Sequence, residues 1–80
     1  MKTISILGST GSVGCATVDL IKEMRGEYIV DSLTAHQNWQ LLAQQAKILK
    51  ARYVAVSKHK YYQPLKNALV GQNIEVASGE

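Results

Sequence analysis

The sequence predicts an α/β protein built on a parallel β-sheet. Short runs of apolar and β-branched residues alternate along the 80-residue chain with segments whose apolar residues recur at helical spacing. Glycines and small polar residues separate these segments, as turns do. Because neighbouring parallel strands need a crossover connection, strict alternation of strand and helix favours a parallel sheet with right-handed crossovers.

The first half of the chain supplies two strands and the helix between them. We expect the first strand at residues 3–7, where a short apolar run is typical of a strand buried on both faces. Apolar residues at helical spacing from Val13 to Met24 predict the first helix, which should end near Gly26. The second strand is predicted at residues 28–33.

The second half repeats the pattern. Asn38 is a candidate N-cap for a helix that carries an apolar face of Trp39, Leu42, Ala43, Ala46 and Leu49. We expect a third strand at residues 52–57, a third helix at residues 65–70 with Pro64 in its first turn, and a fourth strand at residues 73–77. The outer strands of such a sheet need partners that residues 1–80 do not supply. We therefore expect the amino-terminal part of a larger domain, with catalytic and carboxy-terminal domains beyond it.

Composition and charge exclude several classes of protein. The net charge of +3 is spread along the chain, whereas nucleic-acid binding needs a denser basic face. No apolar run approaches the ~20 residues of a membrane span or the ~7 of a signal peptide. The single cysteine, Cys15, cannot form an intramolecular disulfide, so a reducing compartment and a cytoplasmic location are expected.

The loop after the first strand contains the motif that indicates a ligand-binding site. Gly8, Gly11 and Gly14 form a GxxGxxG pattern between a strand and a helix, in a unit of about 30 residues that ends in another strand. Gly8 permits a tight turn, Gly11 lets a pyrophosphate approach the backbone, and Gly14 lets the helix pack against the sheet. The first helical turn then presents free N–H groups to the anion. We predict a dinucleotide site in a Rossmann-like, doubly wound sheet.

The end of the second strand indicates which dinucleotide the loop binds. NAD-binding chains place an acidic residue about 20 residues after the glycines, where it accepts from the ribose 2′-hydroxyl. Thr34 stands there instead, and residues 34–38 contain no acid. Hydroxyl, imidazole and amide groups can donate to a 2′-phosphate, and histidine can be protonated near neutral pH. The loop favours NADP over NAD.

Three stretches of the chain resemble one known family. Residues 6–14 (ILGSTGSVG), residues 35–38 (AHQN) and residues 43–46 (AQQA) ahead of 53–56 (YVAV) are similar to 1-deoxy-D-xylulose 5-phosphate reductoisomerase. The resemblance implies an NADPH-dependent oxidoreductase of isoprenoid biosynthesis that forms 2-C-methyl-D-erythritol 4-phosphate from its sugar-phosphate substrate. It also implies a divalent metal, Mg or Mn, with ligands outside this chain, and a homodimer at full length.

Carried over position by position, the resemblance assigns NADPH contacts to two loops. The residues are Thr10, Gly11, Ser12 and Val13 in the first loop, and His36, Gln37 and Asn38 in the second. His36 and Gln37 stand where many relatives have glycine followed by lysine or arginine. No catalytic residue and no metal ligand falls within the chain.

Two alternatives remain open from the residues alone. An NADP-binding semialdehyde or acyl-phosphate dehydrogenase has a similar amino-terminal loop, with its nucleophilic cysteine far downstream. A non-catalytic module that senses a nucleotide would use the same fold, because fold alone does not determine function.

Overall fold

The computed structural model describes residues 2–24 and 26–79, in which strands and helices alternate. The elements are β1 (Lys2–Ile6), α1 (Ser12–Glu23), β2 (Tyr28–Ala35), α2 (Trp39–Leu49), β3 (Tyr53–Val56), α3 (Tyr62–Ala68) and β4 (Glu75–Ser78). A single 3₁₀ turn, His59–Tyr61, leads into α3.

The four strands form one parallel sheet in the order β1-β2-β3-β4. Right-handed crossovers that step repeatedly in one direction place their helices on the same face of the sheet. Accordingly, α2 contacts both α1 and α3. The α/β class and the parallel sheet are confirmed, and the arrangement is one half of a doubly wound sheet.

The core lies between the sheet and this layer of helices. Leu33 of β2 and Val54 of β3 are neighbours in register, and both are completely buried. Leu42 of α2 and Leu65 of α3 belong to the same cluster from the helical side. Each such side chain contributes about 1.5–3 kcal/mol through its removal from water. This core holds the strand ends, and the loops that follow them, in fixed relative positions.

The expected burial of the first strand on both faces is wrong. Thr3 and Ser5 are exposed, whereas Ile6 is buried, because the described helices cover only one face of the sheet and alternate side chains of β1 point to the other face. In α1 the apolar Val13 is 81% exposed, whereas Val18 and Ile21 are buried. The buried stripe runs through Gly14, which is four and seven residues from these two, because close contact at Gly14 turns that side of the helix inward.

The local signals placed the other elements well. The Asn38 side chain caps α2 by accepting from the Leu41 amide at 3.3 Å, as predicted. Pro64 lies in the first turn of α3, although that helix begins at Tyr62 rather than Leu65. The second strand extends to Ala35 because its last residues pair with β3. Among the described residues, no helix has the length and apolar character needed to cross a membrane.

Candidate cofactor site

The carboxyl ends of β1 and β2 bring the two predicted cofactor loops to one edge of the sheet. This edge is where open parallel sheets bind their ligands. The loop after β1 turns at Gly8, whose φ of +68° lies in the left-handed region that favours glycine. An added Cβ there would meet no atom within 4 Å, and one at Gly11 would meet only the Gly8 carbonyl oxygen, at 3.5 Å. The backbone of the loop is therefore open to a ligand.

The start of α1 presents hydrogen-bond donors to this open space. The first N–H groups of a helix, here those of Ser12 and Val13, lack carbonyl partners within it. Gly11 is the N-cap and contributes no side-chain hydrogen bond, and the first turn contains no acidic residue. Ser12 and Val13 are exposed. With the positive end of the helix dipole, these groups can bind a phosphate.

Gly14 brings the helix against the loop. A Cβ at this position would overlap the carbonyl oxygen of Gly8 and lie 2.7 Å from the Cα of Ser9. Both neighbours are backbone atoms, which have little freedom to move aside. The close contact predicted at Gly14 is confirmed, but the helix meets the backbone of the loop there rather than the sheet.

A buried polar pair lies beneath the loop. The Ser9 hydroxyl donates to Oε1 of Gln45 at 2.7 Å, and Nε2 of Gln45 donates to the Ser9 carbonyl oxygen at 2.8 Å. Ser9 is 0% exposed and Gln45 on α2 is 4% exposed. Sequence reasoning missed this pair. The only signal was a polar residue three positions after Leu42, on the buried face of the helix.

The end of β2 also holds the loop. The Gly8 amide donates to Oγ1 of Thr34 at 2.9 Å, and the Ser9 amide donates to the Thr34 carbonyl oxygen at 2.8 Å. Thr34 had been expected to face a 2′-phosphate. Its observed role is to join the first loop to the strand that leads into the second loop.

The second loop is exposed and adjoins the end of β3. His36, Gln37 and Asn38 are all exposed. The backbone amide of Lys58, which follows β3, donates to the His36 carbonyl oxygen at 3.3 Å. The structure places this basic residue beside a loop that has no lysine or arginine of its own.

The remaining candidates contribute no second site. Cys15 is partly buried, with its Sγ 3.5 Å from the Thr10 carbonyl oxygen and 3.8 Å from Nε2 of Gln45, so it packs against the same network. A cleft of about 380 Å³ lies at the opposite end of the sheet, near Ile21 and Tyr28, away from the glycine loop. Within residues 2–24 and 26–79, no three His, Cys, Asp or Glu side chains are placed to hold a metal ion.

Comparison with known proteins identifies the family. The family model for 1-deoxy-D-xylulose 5-phosphate reductoisomerase matches residues 4–80. The chain belongs to this family. A reductoisomerase from Wolbachia sp. subsp. Drosophila simulans (strain wRi) is 52% identical over 79 residues, which cover 99% of this chain and 20% of the relative. The relative from Afipia carboxidovorans is 49% identical over 99% of this chain and 19% of its own length.

Solved reductoisomerase structures share the fold. The enzyme from Zymomonas mobilis in complex with NADPH superimposes with a TM-score of 0.95 and 40% identity, over 98% of this chain and 21% of that one. A second reductoisomerase, in complex with NADPH, fosmidomycin and magnesium, has a TM-score of 0.91 at 24% identity, which supports the fold alone. The chain spans about a fifth of the length of the curated relatives it matches.

These matches confirm the resemblance found in the sequence. They also decide against the semialdehyde or acyl-phosphate dehydrogenase alternative, because the family model covers nearly the whole chain.

Proposed function

We propose that residues 1–80 are the amino-terminal, NADPH-binding segment of a longer oxidoreductase. This enzyme rearranges and reduces 1-deoxy-D-xylulose 5-phosphate to 2-C-methyl-D-erythritol 4-phosphate. The observation that carries the proposal is the open glycine loop at the start of α1, which has donors but no acid. The 40% identical Zymomonas mobilis enzyme, solved with NADPH, supports it.

The first loop is proposed to bind the pyrophosphate. Gly11 lacks a side chain where the backbone must approach the anion, and Ser12 and Val13 provide helix N-terminal amides. Thr10 adds a hydroxyl donor on the same loop. Bound NADPH would supply the hydride for reduction, while these residues would bind and orient it.

The second loop is proposed to select NADPH through its 2′-phosphate. His36, Gln37 and Asn38 are exposed, and residues 34–38 contain no carboxylate that would repel a phosphate. The Asn38 Oδ1 caps α2 by accepting from the Leu41 amide. The side-chain N–H groups of Asn38 are therefore the ones proposed to donate to the phosphate. Lys58, held beside His36 by its backbone, adds positive charge at this edge.

The rest of the enzyme belongs to chain beyond these residues. We propose that catalytic and carboxy-terminal domains there supply the substrate site and the ligands of a divalent metal, Mg or Mn. We further propose that the full-length protein is a homodimer in the cytoplasm. It acts on the sugar phosphate and requires neither nucleic acid nor a membrane. The fraction of each relative that this chain covers leaves room for such domains.

The activity is tested with the full-length protein. We expect NADPH oxidation when both the sugar phosphate and a divalent metal are present, and much slower oxidation of NADH. A folded full-length protein that binds NADPH without oxidising it under these conditions would favour the nucleotide-sensing alternative. A protein that binds neither dinucleotide would contradict the proposed site.

A further inference from the structure

We propose that Gln45 is a positioning residue for the cofactor, which holds the phosphate-binding loop in its binding conformation through Ser9. The inference rests on the proposed NADPH function and adds a residue from α2 to that site. Gln45 does not line the open face of the loop. It acts from underneath, through the buried hydrogen bonds with Ser9.

The pairing between the two residues is reciprocal. Oε1 of Gln45 accepts from the Ser9 hydroxyl, and Nε2 donates to the Ser9 backbone carbonyl oxygen. Both residues are nearly inaccessible to water, and no buried side-chain polar atom of the described residues lacks a partner. A buried amide is costly when unpaired, so this geometry strongly favours one position of the loop relative to α2.

Together with Thr34, Gln45 fixes three backbone groups of the loop. Thr34 accepts from the amides of Gly8 and Ser9, and Gln45 donates to the Ser9 carbonyl oxygen. With these groups directed inward to β2 and α2, the exposed residues Ser12 and Val13 at the start of α1 are left on the open side. The loop is thus arranged for an anion before the anion binds, which lowers the cost of binding.

The same contacts connect the two cofactor loops. Thr34 lies two residues before His36, and Gln45 lies on α2, the helix that Asn38 caps. The pyrophosphate loop is therefore attached to β2 and α2, the two elements that flank the segment proposed to bind the 2′-phosphate. Loss of Gln45 should alter the spacing between the two binding points of one ligand.

The test is Gln45→Leu in the full-length enzyme, because leucine fills similar space without either hydrogen bond. We expect the Kd and the KM for NADPH to rise about tenfold, the effect of leaving buried partners unpaired. The kcat at saturating NADPH and the KM for the sugar phosphate should stay within about twofold, because neither depends on this loop once the cofactor is bound.

Leu65→Ala is the matched control. Leu65 is 0% exposed on α3 and belongs to the same core, but it makes no hydrogen bond to the loop. It should lower the melting temperature while leaving the Kd for NADPH unchanged. If Gln45→Leu lowers the melting temperature but keeps the wild-type Kd, or if both variants weaken NADPH equally, Gln45 is only a structural residue and the inference is wrong.

A second pair of variants applies if Gln45→Leu does not fold. Thr34→Val removes the acceptor of the Gly8 amide at an exposed position, and Thr34→Ser restores it. The inference expects weaker NADPH binding in the first and near-normal binding in the second, and equal wild-type binding in both would overturn it. A wild-type enzyme that binds no NADPH would instead refute the proposed function.

Discussion

Gly14→Ala should destabilise the protein even though alanine is the better helix former. The new Cβ would overlap the Gly8 carbonyl oxygen and lie 2.7 Å from the Cα of Ser9. Overpacking of this kind costs about 1–3 kcal/mol, and contact with backbone atoms places the cost at the upper end. Alanine recovers about 1 kcal/mol of helix propensity. The net expected loss of stability is about 2 kcal/mol, with α1 displaced from the loop.

Gly11 provides the matched comparison on the same loop. Its φ of −78° is accessible to any residue, and an added Cβ would meet the Gly8 carbonyl oxygen at an ordinary 3.5 Å. We expect Gly11→Ala to change stability by no more than about 0.5 kcal/mol. Gly11→Val should also fold, yet its branched side chain occupies the space proposed for the pyrophosphate, so NADPH binding should collapse.

The assay measures both quantities for each full-length variant. Thermal unfolding followed by circular dichroism reports stability, and a fluorescence titration with NADPH gives the Kd. A wild-type melting temperature for Gly14→Ala would refute the packing account. A near-wild-type Kd for Gly11→Val, with an unchanged spectrum, would show that Gly11 is only a turn residue.

Further predictions concern the second loop and the isolated chain. His36→Ala should weaken NADPH binding and leave NADH binding unchanged, because the imidazole is proposed to donate to the 2′-phosphate, which NADH lacks; equal weakening of both dinucleotides would contradict this role. Lys58→Gln should weaken NADPH binding severalfold and leave NADH binding unaffected, and separate titrations with the two dinucleotides measure both effects. Residues 1–80 alone should not oxidise NADPH when the sugar phosphate and a divalent metal are added, and turnover above background would contradict the proposed division of the enzyme.

The sequence predicted the features that depend on local signals. Asn38 and the helix behind it form one such signal, since a cap contacts an amide three residues away. Gly14 is another, because the glycine spacing itself indicates a close approach at the start of a helix. These features depend on short stretches of chain, so pattern and spacing were sufficient to place them.

Features that depend on distant parts of the chain were missed. Ser9 and Gln45 are 36 positions apart, and Gly8 and Thr34 are 26 apart. These contacts exist only because strand register and helix packing bring the end of β2 and one turn of α2 under the loop. The buried face of α1 was not predicted for the same reason, since the close contact at Gly14 sets the rotation of the helix. Lys58 likewise meets His36 only through the parallel pairing of β2 and β3.

A crystal structure of the full-length protein with NADPH tests the central claim most directly. We predict the pyrophosphate at the start of α1, within hydrogen-bond distance of the backbone N–H groups of Ser12 and Val13, and the 2′-phosphate beside His36, Gln37 and Asn38. A dinucleotide bound elsewhere, or one whose phosphates make no contact with the first loop, would contradict this assignment.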